Sequence, residues 1–491
     1  MQKYISYTKL IGLFLGPLVF TSLMLTPNPD IIPLPVWKFL ACTSFMIIWW
    51  VFEPVPYAVT ALLPAVLYPV TGVLSSYDTF SAYGNPYIFL FMGGFFIAIA
   101  LEKHNLHSFI AYRAIKVIGF DPSKVVLGMM SATYFLSMWM SNTAACMMML
   151  PIAISIINML GNTVEDNKYK TNFITSLLLS IPYAATIGGT ATVIGSPPNI
   201  ILASFFAESF EVDISFVKWL YFGIPFSVIM LFAGWIILTK ILFRSKFRFD
   251  SLDHYIKEEF AEYFLTNSQV KVLVIFLFTI FLWIVRPFLA NATTFEINDE
   301  IIAVFCGLLL FVTPINLTKG KFLLEWKDTE KLPWGILLLF GGGIAISSAI
   351  NYLEIFKVIG NFVKANGKIT QLSFILISVI VIAIITEFIN NTALSVSVIP
   401  IMAALCIALG FNPLIVSLIA TFTLSLSFML AIATPPNSFV FINDHLNGKD
   451  MAKAGFLLKI VGIILIIIFY TSGLFDVYKI DFKVVQQLET T

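Results

Sequence analysis

Two short polar runs interrupt otherwise apolar sequence, Ser141-Asn142-Thr143-Ala144 and Asn390-Asn391-Thr392-Ala393. Hydroxyl, amide and backbone carbonyl oxygens are hard ligands suited to a small alkali cation, while free N–H groups at a helix start suit an anion. Asn142 and Asn391 are each followed nine residues later by a proline, Pro151 and Pro400, so the two runs share one offset of 249 residues. At that offset Ser137 falls against Thr386, and Phe91-Met92-Gly93-Gly94 against Phe340-Gly341-Gly342-Gly343. Further on, Gly195-Ser196-Pro197-Pro198-Asn199 recurs as Ala433-Thr434-Pro435-Pro436-Asn437, now 238 residues apart, a change that loop length explains. A proline pair removes two donors and disrupts the carbonyl ladder behind it. Such a constellation has ligands for a cation and an anion together.

The elements that carry these residues must sit in lipid. Of 491 residues 59% are hydrophobic and 12% charged, with mean hydropathy +0.92 and net charge +1. That is too little polar surface for a water-soluble particle of this size, and it lacks the basic stripe a nucleic-acid partner requires. Eleven stretches have the length and apolarity of spanning helices: 8–26, 36–53, 57–75, 86–102, 173–204, 218–242, 270–290, 300–317, 333–350, 412–442 and 454–475. Two more, 127–160 and 370–410, are broken in the middle by the polar runs and read as re-entrant hairpins. The expected fold is therefore an all-α polytopic membrane protein of about 11 transmembrane helices plus two hairpins.

Loop charge orients it. Lys3 and Lys9 put the N-terminus in the cytoplasm, and Lys103, Arg113, Lys116 and Lys124 bring 102–124 back to that side after four crossings. The same count puts the C-terminus outside. Lys357, Lys364 and Lys368 break the rule, and 351–368 is expected to lie along the interface as an amphipathic helix. The two halves then face opposite sides, an inverted repeat with helices broken at matching positions, which points to a secondary transporter with its site between the repeats. Segments 127–160, 173–204, 370–410 and 412–442 contain no Lys, Arg or His and one acid, Glu387. A carboxylate substrate there would need cations for company, and coupled sodium ions would supply both charge and driving force.

These residues resemble a known family. Trp139-Met140-Ser141-Asn142-Thr143-Ala144-Ala145, Gly195-Ser196-Pro197-Pro198-Asn199, Thr386-Glu387-Phe388 and Ala433-Thr434-Pro435-Pro436-Asn437 are similar to the paired motifs of the divalent anion/sodium symporters, in the family's order and across essentially the whole chain. The resemblance implies sodium-coupled transport of dicarboxylates such as succinate, malate and fumarate, or of citrate or sulfate. It also implies a homodimer whose transport domain moves against a scaffold in an elevator motion. Under it, 1–124 and 270–368 are scaffold helices, 125–243 and 369–477 the two transport halves, 244–269 a cytoplasmic connector and 478–491 a tail. Carried over by position, a first sodium site would involve Ser137, Ser141, Asn142 and Gly195. A second would involve Thr386, Ile389, Asn391 and Ala433, with Ile389 and Ala433 acting through carbonyls. Substrate would meet Asn142, Thr143, Ser196, Asn391, Thr392, Thr434 and Pro435. Asn390 stands where the family usually has Ser, a larger group that would narrow the site or alter a cation contact.

Plainer readings compete. A lone Ser-Asn-Thr is ordinarily a helix cap, and recurrence at a constant offset is what favours a site. The glycine runs read as close helix packing, and Glu387 equally as a structural acid or as a charge that attracts cations. Cys42, Cys146, Cys306 and Cys406 read as buried apolar residues, and His104, His107, His254 and His445 as solvated loop side chains. No His, Cys or Asp pair at membrane depth has catalytic or metal spacing, which argues against an intramembrane enzyme. A passive channel would leak without regard to a sodium gradient.

Overall fold

A computed structural model describes residues 7–30, 32–160, 167–245, 265–292, 297–355, 369–441 and 446–477. The expected interfacial helix over 351–368, the connector over 244–269 and the tail over 478–491 lie wholly or largely outside the described residues, as do His254 and His445.

Backbone buried in lipid must pair its own N–H and C=O groups, and helices dominate accordingly. In chain order they are α1 (Tyr7–Leu25), α2 (Leu34–Phe52), α3 (Tyr57–Thr60), α4 (Leu63–Thr71), α5 (Ser76–Ser81), α6 (Pro86–Lys103), α7 (Leu106–Ile118), α8 (Pro122–Ser137), α9 (Asn142–Leu160) and α10 (Asn167–Ala191). There follow α11 (Pro197–Phe210), α12 (Phe216–Ile236), α13 (Asn267–Ala292), α14 (Asp299–Val312), α15 (Trp334–Tyr352), α16 (Gln371–Ile385), α17 (Asn391–Leu409), α18 (Pro413–Leu424), α19 (Pro435–Phe441) and α20 (Gly448–Thr471). A two-stranded antiparallel ribbon, β1 (Pro314–Asn316) and β2 (Lys321–Phe322), follows α14.

Nine helices among the described residues are long and apolar enough to cross a membrane, where eleven were expected. Three expected spans drop out. The 57–75 stretch divides into α3 and α4 around Ala61 and Leu62, whose freed Ala61 carbonyl accepts from Tyr83 Oη at 2.6 Å. The 300–317 stretch ends at Val312, because the chain turns into the ribbon. The 412–442 stretch is split by its own break into α18 and α19. One helix is added: α17, expected as a hairpin arm, has 19 residues and counts among the nine.

Both arms of the first polar run, α8 and α9, pack on α10, and both arms of the second, α16 and α17, pack on α18. The glycines allow the closest approaches. A Cβ on Gly93 would run into the Ala303 backbone of α14, and one on Gly342 into the Ala61 carbonyl. α1 leaves Ile11, Phe14 and Leu18 exposed, as a lipid-facing helix would. All four cysteines are buried and free. The histidines depart from expectation: His104 is half-buried with Nε2 3.0 Å from the Leu323 carbonyl, and His107 is half-buried on α7. His104 packs against the segment that follows β2, and His107 lies within a helix, so neither is a solvated loop side chain.

Candidate functional site

In the first half, α8 ends at Ser137 and α9 opens at Asn142, with Ser141 Oγ accepting from the Ala144 N–H at 3.3 Å. Ser141 thus caps α9 through one of its two lone pairs. Pro197 and Pro198 begin α11, where a missing N–H costs nothing, so the pair starts a helix instead of kinking one. Ser196 before them is extended (φ −143°, ψ 140°) and buried. The carbonyls stranded at the break are met by Asn199, whose Nδ2 donates to Gly189 O and Thr192 O, both at 2.8 Å. Thr192 Oγ1 in turn donates to Met138 O at 2.5 Å, fastening the break to the turn between α8 and α9.

Oxygens converge beside this fastening. Ser137 Oγ lies 2.7 Å from Ala185 O and 2.8 Å from Asn142 Oδ1, but its single proton serves one of them. Apart from that hydroxyl, Asn142 Oδ1 faces only carbonyl oxygens. Turned over, its amide would donate to Ser137 Oγ at 2.8 Å, Ala185 O at 3.1 Å and Gly195 O at 3.3 Å. Such a set is satisfied either by that amide turn or by a cation among the oxygens. Gly189 makes room for it, since a Cβ there would strike the Asn142 amide. Ser137, Asn142 and Gly195 are therefore brought together, and Ala185 joins them unanticipated, because a helical Ala carries no sequence signal for its carbonyl.

The second half repeats the scaffold of bonds. Asn437 Nδ2 donates to Ser427 O at 3.2 Å and Leu430 O at 3.0 Å, and Thr386 Oγ1 donates to Leu424 O at 2.8 Å, one residue past the position that matches Ala185. Asn390 caps α17, its Oδ1 accepting from the Thr392 N–H at 3.0 Å. It does the work of Ser141, which locates its difference from Ser in capping. The Asn391 Oδ1 accepts from Thr392 Oγ1 at 3.4 Å, and Thr434 Oγ1 from the Asn437 N–H at 3.4 Å. Ile389 and Ala433 donate backbone bonds to Ile385 O and Leu430 O. Among the described residues no hydrogen bond joins Thr386, Asn391 and Ala433 to one another, so this set is less closely assembled than the first.

The halves interlock. α9 packs on α19, with Cys146 Sγ 3.5 Å from Pro436 O, and α11 packs on α17. Asn142 and Thr143 open α9, Ser196 precedes α11, Asn391 and Thr392 open α17, and Thr434 and Pro435 stand at the start of α19. Thr143 and Thr392 are half-buried and Pro435 is exposed.

Glu387 is the one charged residue of the four polar segments, and it is not free. Its Oε1 accepts from the N–H groups of Phe428 (3.1 Å) and Met429 (3.2 Å), and its Oε2 from those of Met429 (3.1 Å) and Leu430 (3.0 Å). Lys459 of α20 reaches Oε1 at 2.5 Å and also donates to Ala383 O at 2.5 Å. Sequence reasoning missed Lys459, whose only signal is a cation in the apolar part of α20, beyond Lys449 and Lys453 at its start.

Broken helices at matching places in two halves, a converging set of neutral oxygens and a neutralised acid, all in an apolar multi-pass bundle, define a polytopic membrane protein. Residues 7–474 match the family described as the sodium:sulfate symporter transmembrane region. The chain belongs to that family. It is 39% identical over 480 residues to the sodium-dependent dicarboxylate transporter SdcS of Staphylococcus saprophyticus, covering 95% of this chain and 92% of that protein. It is 38% identical over 478 residues to SdcS of Staphylococcus aureus, covering 95% and 91%. These relatives are transporters, not enzymes. Among solved structures, the Alcanivorax borkumensis YdaH transporter shares the fold, with a TM-score of 0.54 at 10% identity, over 95% of this chain and 99% of that one.

Proposed function

We propose that this chain is a sodium-coupled symporter of dicarboxylates such as succinate, malate and fumarate across the bacterial inner membrane. The observation that carries the reading is the convergence of Ser137 Oγ, the Asn142 side-chain amide and the Ala185 and Gly195 carbonyls at the first helix break. Sodium satisfies such a set, and the uncharged surroundings leave a dicarboxylate dependent on sodium for compensation. The relatives named as sodium-dependent dicarboxylate transporters support the same assignment. Two sodium ions balance the two charges of a dicarboxylate, so the inward sodium concentration gradient drives uptake, and each positive charge carried beyond that balance would add about 2.3 kcal/mol per 100 mV.

In this reading Ser137, Ser141, Asn142 and Gly195 serve the first sodium, and Thr386, Ile389, Asn391 and Ala433 the second. Asn142, Thr143, Ser196, Asn391, Thr392, Thr434 and Pro435 meet the substrate. The matching bonds of the two halves support an inverted repeat, with 125–243 and 369–477 moving as a transport domain against the scaffold of 1–124 and 270–368 in a homodimer. The N-terminus is cytoplasmic and the C-terminus outside.

The test is labelled succinate uptake into proteoliposomes with and without an inward sodium gradient, with malate, citrate and sulfate as competitors. Sodium-driven uptake blocked by malate is the expected result. Uptake that ignores sodium but needs internal dicarboxylate would make the protein an exchanger, and competition by citrate or sulfate alone would reassign its substrate.

A further inference from the structure

We propose that Lys459 is a positioning residue for the second cation site, acting through Glu387 to hold the two chain segments that form it. The proposal rests on the reading of Thr386, Ile389, Asn391 and Ala433 as that site.

Glu387 sits in the turn between α16 and α17, one residue after Thr386 and two before Ile389. Its carboxylate gathers the N–H groups of Phe428, Met429 and Leu430, and Leu430 is tied onward by the Ala433 N–H at 3.2 Å and by Asn437. One side chain thereby fastens the turn that carries Thr386 and Ile389 to the loop that leads into Ala433.

A carboxylate buried to this degree, 4% exposed, is tolerated only if its charge is answered. Three N–H groups answer its lone pairs and Lys459, 6% exposed, answers its charge. With its oxygens so engaged, Glu387 has no free charge to offer sodium. Its work is geometric.

The first half shows what the fastening does without charge. Met138 corresponds to Glu387 at the 249 offset and Thr192 to Leu430 at the 238 offset, and there a single hydroxyl, Thr192 Oγ1 to Met138 O, makes the link. The second half replaces that neutral bond by an ionic clamp whose cation comes from α20, a helix outside the four polar segments. Lys459 also donates to Ala383 O, so it sets α16 and the turn after it together. Partners that orient a cation's ligands typically change its affinity by about 10–100-fold when removed.

The experiment is succinate uptake by proteoliposomes of the full chain, measured across sodium concentrations for the parent, Lys459→Met, Lys459→Arg and Glu387→Gln/Lys459→Met. Lys459→Met should raise the sodium concentration for half-maximal uptake on the order of tenfold. Its apparent succinate KM at saturating sodium should stay near that of the parent, a split that general misfolding would not give. Lys459→Arg, which keeps the charge, should recover most of the sodium affinity. Should Lys459→Met not yield folded protein, the double variant, with no charge left unanswered, carries the same expectation. A folded Lys459→Met or double variant with the parent's sodium dependence would overturn the proposal. Sodium-independent uptake by the parent would instead overturn the symporter reading on which it rests.

Discussion

Asn199 and Asn437 stand in the same relation to the chain behind them: each side-chain amide donates to the carbonyls ten and seven residues earlier and so bridges a helix break. The nearer carbonyl of each pair also accepts a backbone bond, from Gly195 or from Ala433. The farther ones, Gly189 O and Ser427 O, depend on the amide. Asn199→Ala and Asn437→Ala should therefore each destabilise the protein by about 1–3 kcal/mol, the cost of one orphaned buried acceptor. Thermal unfolding of the purified variants in detergent measures it, and two variants as stable as the parent would refute the bridging role.

The first oxygen set gives a test that leaves its ligands chemically intact. Gly189→Ala introduces a Cβ where the Asn142 amide lies. It should raise the sodium requirement of uptake as much as Asn142→Ala or Ser137→Ala does, about tenfold for 1.4 kcal/mol of lost binding. Sodium titration of uptake reads all three; an unaffected Gly189→Ala would mean that the amide does not need its present position.

The site's frame was legible in the sequence because constraint there is chemical. Proline pairs have few places in a lipid-buried helix, and Asn-Thr runs recurring at one offset are hard to explain by packing alone. The missing parts lack such a mark. The Ala185 carbonyl belongs to an ordinary helical residue. Lys459 lies far along the chain from Glu387, and no periodicity links them. The span count failed where hydropathy is blind to backbone breaks, at Ala61 and Leu62 and in the turn into β1. Ser141 and Asn390 accept N–H bonds at helix starts, a role that the same residue types fill in any protein and that the motif alone does not distinguish from ligation.

Neighbouring glycines on α6 should respond differently. A Cβ on Gly93 would collide with the Ala303 carbonyl and carbon, whereas one on Gly94 meets nothing nearer than Ile194 Cδ1 at 3.8 Å. Gly93→Ala should cost about 1–3 kcal/mol by overpacking, with Gly94→Ala near the parent. Monodispersity and melting temperature in detergent compare the two, and equal behaviour would contradict the close α6–α14 contact.

Outside the membrane-spanning helices, Asp328 should make stability depend on pH. Partial burial raises its pKa, but the Glu325 N–H and then the hydrogen bond and charge of Lys103, at 2.7 Å, prevail and hold it below the ordinary carboxylate value. A depressed folded-state pKa means stabilisation that is complete above the unfolded value, about 3.9, and is lost as pH falls from there through the folded value. Asp328→Asn should thus be less stable than the parent at pH 7, and the gap should close as the medium is acidified below about pH 4. Unfolding curves at both pH values decide; a gap that persists in acid would assign the effect to packing.

Arg286 lies between two carboxylates of unequal burial, Asp299 Oδ2 at 3.0 Å and Asp213 Oδ2 at 3.2 Å. Asp299 is 5% exposed and also accepts from the Phe216 N–H at 2.9 Å, while the Asp213 side chain is 56% exposed. Arg286→Met would leave the Asp299 charge buried with no cation, and breaking a buried pair from one side costs about 3–5 kcal/mol. Asp213→Asn touches a solvated partner and should cost at most about 1 kcal/mol. Arg286→Met/Asp299→Asn removes both charges and should recover much of the single variant's loss, because the penalty comes from the unanswered carboxylate. Melting temperatures of the three variants establish the order. If the double variant were less stable than Arg286→Met alone, the Arg286 contribution would lie in its packing between α13 and α14 and not in its charge.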